Sequence, residues 1–104
     1  MVVSYHGSPL YSSFGVPFFS DRNGVPLVAT LSEPFGARNW WPCKDRPDDK
    51  ADGVSLAITV PANLVVASNG RLLRVDQLPG ARARYRWRES YPIATYLVSL
   101  AITD

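Results

Sequence analysis

The chain is poor in the residues that carry most protein chemistry. Its 104 residues include one cysteine, Cys43, and one histidine, His6. A lone thiol forms no internal disulfide, so cysteine usage leaves compartment and localisation unassigned. A single histidine does not make a His₂Glu zinc site. No apolar run approaches the roughly 18–20 residues of a membrane-spanning helix, and the N-terminus lacks the basic-then-apolar pattern of a signal peptide. The formal charge of +2 is too small to imply a nucleic-acid or membrane partner. Helical periodicity is missing too, and nine prolines and seven glycines are spread along the chain. What remains is one domain at most, 46% hydrophobic and therefore globular. A chain of this size buries roughly 60–70% of its extended-chain surface.

Strand signals are strong, above all after residue 52. Val54, Leu56, Ile58 and Val60 alternate with Ser55, Ala57 and Thr59, which predicts a half-buried strand ended by Pro61. Leu64–Ser68 and Arg71–Val75 flank Asn69-Gly70, a pair that favours a two-residue hairpin because both positions tolerate positive φ. Leu78-Pro79-Gly80 is a second turn. Next, Arg82, Arg84, Arg86 and Arg88 share one strand face, and Ala83, Tyr85, Trp87 and Glu89 the other. The arginine stripe reads as a basic solvent face on an exposed edge strand, where like charges discourage edge pairing. The run Thr95–Thr103 aligns Tyr96, Val98, Leu100 and Ile102. These segments predict about four strands in antiparallel meander order. Shorter strands are expected near Val2–Tyr5, Val16–Phe19 and Leu27–Leu31, with Asp21–Gly24 as a turn.

The block from Ser32 to Lys50 is different. It sets Trp40-Trp41 and three prolines among many charges, with neither helical nor strand period. Tryptophans want burial, while Glu33, Arg38, Asp45 and Lys50 want water or partners. A segment with both demands is packed against something and held in one conformation.

Several residues in this block and beyond it match one family in order. They are Glu33, Ala37-Arg38, Trp41-Pro42-Cys43-Lys44-Asp45 with Pro47, and Lys50-Ala51, then Ala67-Ser68-Asn69-Gly70 and Tyr91–Leu97. Tyr5-His6-Gly7 matches more loosely. The set resembles the aminopeptidase N family of zinc metallopeptidases, which includes the leukotriene hydrolases. The resemblance implies an all-β, antiparallel, sandwich-like fold: residues 1–104 as one partial β-domain, the second part of an N-terminal saddle-type domain. The family's H-E-x-x-H helix and G-x-M-E-N strand do not occur here. The expectation is therefore a non-catalytic segment, inactive alone and with no cofactor of its own. Zinc is expected in the parent's catalytic domain, which would be its main partner. Self-association through exposed strand edges is also expected of such a piece.

The resemblance implies that Glu33 binds the free N-terminal amine of a peptide substrate. An α-amino group is largely cationic near neutral pH, and a carboxylate offers it a charge-assisted hydrogen bond. On composition alone Glu33 also reads as a surface glutamate, or one neutralised by Arg38. Leu31 stands where many family members carry glutamine. Arg38 and Asp45 read as a buried structural pair, its guanidinium completed by backbone carbonyls. Asp45 before Arg46-Pro47 also fits a turn-initiating Asx arrangement. Trp41 and Cys43 complete the structural motif. A Cys43–His6 protease dyad lacks an orienting third group, so Cys43 reads as an apolar residue and His6 as a hydrogen-bonded structural one. The competing reading is a free-standing β-sandwich module for carbohydrate or protein, which needs exposed, roughly coplanar Trp40 and Trp41.

Overall fold

Two-residue alternation places the side chains, and two small antiparallel sheets result. The computed structural model describes residues 1–8 and 17–104, with the backbone alone for residues 17–22. The strands are β1 (Pro17–Arg22), β2 (Val25–Thr30), β3 (Val54–Pro61), β4 (Val65–Ser68), β5 (Arg71–Leu78), β6 (Arg82–Glu89) and β7 (Leu100–Thr103). One sheet has the order β1-β2-β7-β4 and the other β3-β6-β5. No α-helix occurs among the described residues; two 3₁₀ turns cover Ala37–Asn39 and Thr95–Leu97. The all-β, antiparallel expectation holds.

The alternating segments meet along their full length. All eight residues of β3 pair with β6, from Val54↔Glu89 to Pro61↔Arg82. On one face Ile58 and Tyr85 are register partners, and both pack against the buried cluster of Val60, Leu64 and Val66. Ile102 of β7 packs on the same cluster, so both sheets share this core. The Tyr85 hydroxyl donates to the Leu64 carbonyl at 3.2 Å, which satisfies the polar tip of a packed ring. Among the described residues Val66 is the largest fully buried side chain, at 2% exposure.

Connectivity departs from the meander. The Asn69-Gly70 pair does not close a hairpin. β4 pairs with β7, while β5 pairs with β6, so the chain changes sheets at this dipeptide. A two-residue turn of the hairpin kind needs positive φ at both centres. Here Gly70 has φ +78° and Asn69 has no positive φ. The Asn69 side chain is engaged elsewhere: its amide donates to Leu97 O at 2.9 Å and its carbonyl accepts from Ser99 N at 2.7 Å. Asn23-Gly24 is the true hairpin, with φ of +58° and +79° between Arg22 and its partner Val25.

Other expectations shift. Val2–Tyr5 is not a strand. The expected strand at Val16–Phe19 begins one residue outside the described segment and is found as β1. The Thr95–Thr103 run splits into the 3₁₀ turn and β7, because Asn69 takes up the Leu97 and Ser99 backbone groups before the ladder begins. β6 is a central strand, so the arginine stripe does not guard an edge.

The glycines of the two Asn-Gly pairs should respond differently to substitution. A Cβ on Gly70 would collide with the backbone carbonyl of Arg88, whereas one on Gly24 would meet nothing within 4 Å. Gly24→Ala should cost about 1–2 kcal/mol, from left-handed backbone alone. Gly70→Ala should cost clearly more, by urea denaturation of both variants. Equal losses would remove the Gly70 close approach from the account.

Candidate functional site

The segment after β2 is built around Ser32, which is 3% exposed. Its hydroxyl accepts from the Trp40 indole Nε1 at 2.9 Å, and its carbonyl accepts from Gly36 N at 2.8 Å. Ala37, fully buried, starts the 3₁₀ turn, and its carbonyl accepts from the backbone N–H groups of Trp40 and Trp41. The Tyr5 hydroxyl donates to Trp40 O at 3.1 Å. Indole burial thus fixes the base of the loop. Between these anchors Glu33, Pro34 and Phe35 are exposed, and the Glu33-Pro34 peptide is cis. No hydrogen bond or ion pair holds the Glu33 carboxylate among the described residues. The sequence signals Ser32 only as a hydroxyl eight residues before a tryptophan, a pattern too common to mark it.

Arg38 does not neutralise Glu33. Its Nε donates to Asp45 Oδ2 at 3.0 Å. The expected buried pair is half correct: the Asp45 side chain is 4% exposed, but that of Arg38 is 62% exposed. No backbone carbonyl among the described residues completes the guanidinium, which lies at the surface. Asp45 is not an Asx turn either, since its other oxygen accepts from Thr95 Oγ1 at 3.4 Å and ties the loop to the turn before β7. Asp48 takes a two-point bond from Arg46, at 3.1 and 2.7 Å, and Lys44 pairs with Asp49. These two outer pairs are exposed and contribute little to stability.

Cys43 is half-buried, and burial pushes its thiol above the ordinary value. The Asp45 carboxylate adds to this, and Arg38 partly opposes it. A thiol held protonated is a poor nucleophile. His6 is exposed, with no hydrogen-bond partner among the described residues, and borders an open cavity of about 640 Å³ with Tyr5, Arg38, Trp40 and Trp41. Neither Glu33 nor Cys43 lines that cavity, so it does not bring Cys43 together with His6 as a dyad. Trp40 and Trp41 are half-buried, 6.1 Å apart and tilted by 58°, which is not the flat platform a sugar-stacking module needs.

Residues 8–97 match the family model described as the peptidase M1 N-terminal domain. The chain belongs to this family. The M1 domain is 34% identical to human glutamyl aminopeptidase over 76 residues, covering 73% of this chain and 8% of that protein. It is 32% identical to probable aminopeptidase 1 of Saccharolobus solfataricus over 87 residues, covering 84% of this chain and 11% of that protein. Its fold matches the crystal structure of an M1 zinc metallopeptidase from Deinococcus radiodurans with a TM-score of 0.76 at 29% identity, over 92% of this chain and 22% of that one. A mutant of that metallopeptidase, bound to a Tyr-Ser-Ala substrate, matches with a TM-score of 0.71 at 29% identity, over 84% of this chain and 19% of that one. The M1 domain therefore spans less than a quarter of the length of these relatives.

The charges around Cys43 give a signed prediction. Iodoacetamide should label Cys43 in the folded M1 domain more slowly at pH 8 than in the urea-unfolded chain. Asp45→Asn should speed labelling by removing the carboxylate, and should also cost about 1–3 kcal/mol by removing the charge-assisted bonds. Labelling as fast as in the unfolded chain would contradict the raised thiol.

Proposed function

We propose that this M1 domain is the non-catalytic N-terminal segment of a zinc aminopeptidase, where it covers the active-site cleft and offers Glu33 to the substrate's free α-ammonium group. One observation carries the reading. Glu33 is exposed, and its carboxylate has no partner among the described residues, on a loop whose base is clamped by Ser32, Ala37 and Trp40. Arg38, the cation five residues on in sequence, pairs with Asp45 instead. A carboxylate kept free on a fixed base is poised for a ligand cation. In a cleft closed by a second domain it would bind an ammonium by a charge-assisted hydrogen bond. A blocked N-terminus would leave that carboxylate unpaired, which rejects such peptides.

The residues of this chain do not fit a catalytic zinc. His6 is the sole histidine, and the described residues hold no cluster of three histidine, cysteine, aspartate or glutamate side chains. The metal and the bond-breaking step are assigned to the catalytic domain of the whole protein, this segment's main partner.

The test is Glu33→Gln in the whole protein, with an aminoacyl amide that has a free amine as substrate. kcat/KM should fall about 10²-fold, which corresponds to the ~2–3 kcal/mol of a hydrogen bond between charged groups. The thermal midpoint should stay within about 2 °C, because an exposed side chain is removed from no packed contact. An unchanged kcat/KM takes Glu33 out of the site.

A further inference from the structure

The outward face of the β3-β6-β5 sheet carries a concentration of positive charge that nothing in the proposed function uses. Register places Arg82, Arg84, Arg86 and Arg88 of β6 on one face with Arg71, Arg74 and Asp76 of β5 and with Ser55 and Thr59 of β3. Six guanidinium groups face one carboxylate there, a formal +5 on a chain whose total is +2. Arg71 lies opposite Arg88, and Arg74 opposite Arg86. Like charges directly opposite each other in a sheet are destabilising, so the fold tolerates this arrangement at a cost.

The intramolecular bonds leave most donors unused. Arg84 reaches Thr59 Oγ1 at 3.1 Å, Arg88 reaches Ser55 Oγ at 2.6 Å, and Arg82 reaches Pro79 O at 3.1 Å, each through one nitrogen. Asp76 shows what the face does with a carboxylate. Its Oδ2 accepts from Arg74 Nε and Arg86 Nε, both at 3.1 Å, bridging adjacent strands. The two guanidinium groups, Arg86 foremost, hold the Asp76 carboxyl below its ordinary range.

We infer that this face is a docking surface for an extended acidic polypeptide segment with carboxylates on alternate residues. Side chains two apart on a strand repeat at about 6.6–6.8 Å, the spacing of alternate residues in an extended peptide. Such a segment laid along β6 places its carboxylates between the arginines of β5 and β6, as Asp76 already is, and each guanidinium offers a planar fork to a carboxylate. Nucleic acid fits less well. Tyr85 and Trp87 lie on the opposite face of β6, so among the described residues the arginine face has no aromatic platform for bases.

The test uses the full chain and fluorescence anisotropy of a labelled eight-residue peptide of alternating Glu and Ser. A blocked peptide (four Glu, then four Ser), an oligothymidylate and a heparin oligosaccharide serve as competitors at equal salt. The alternating peptide should bind at least ten-fold tighter than the blocked one, and weaken steeply between 50 and 200 mM salt. Its Kd should rise at least ten-fold in R71Q/R88Q and further in R71E/R88E, with circular dichroism showing both folded. Equal affinity for the alternating and blocked peptides overturns the inference, and needs no variant. So does an unchanged Kd in R71Q/R88Q. Tighter binding of the oligothymidylate or the heparin fragment would overturn the acidic-peptide assignment and give the face to that polyanion.

Discussion

The side chain of Asn69 is the constraint on which the first sheet rests. It bonds Leu97 O and Ser99 N, and the neighbouring Ser68 hydroxyl donates to Ser99 O at 2.6 Å. These three bonds set where β7 begins. β7 then joins β4 to β2, and so to the β1-β2 hairpin, through the shared partner Ile102 of Val66 and Val28. Thr30 Oγ1 accepts from Leu100 N at 3.0 Å, fastening the last residue of β2 to the first of β7. Glu33 follows three residues later. The position of the proposed amine-binding carboxylate thus depends on a polar clamp in another part of the sequence.

The loop itself divides anchoring from presentation. Ser32, Ala37 and the Trp40 indole are inside, and Glu33 to Phe35 are outside. Asp45 extends the anchoring outward, because its buried carboxylate meets Arg38 on one side and Thr95 on the other. Burial of one charged partner with the other in solvent avoids the full desolvation that a wholly buried pair would incur. Glu33, Ala37, Arg38 and Asp45 belong to the ordered set that resembles the M1 family, and the last three hold the loop in shape. Arg38 and Asp45 pair with each other, while the Glu33 carboxylate has no partner among the described residues.

Much of the fold was legible because period-2 patterning is a local property. β3 and β6 were readable from Val54–Val60 and Arg82–Glu89, and their pairing keeps Ile58 and Tyr85 on the core face. The two Asn-Gly pairs mark the limit. Asn23-Gly24 takes the hairpin conformation and Asn69-Gly70 does not, and the dipeptide alone gives no way to separate them. The difference lies in whether the asparagine amide finds distant partners, and Leu97 and Ser99 are some thirty residues away. The meander order failed for the same reason, since β4 leaves its sequence neighbour for β7. At the site, Glu33 and Asp45 were visible through family motifs. Arg38's exposure and Ser32's burial were not, because both depend on how the tryptophans pack.

Hydrogen exchange of the Asn69→Ala variant tests the central claim most directly. If the Asn69 clamp sets β7, backbone amides of Val28, Val66, Leu100 and Ile102 should lose protection together, while those of β3 and β6 keep theirs. Uniform loss across both sheets, or unchanged protection in β7, would show that the first sheet, and the placement of Glu33 with it, does not depend on Asn69.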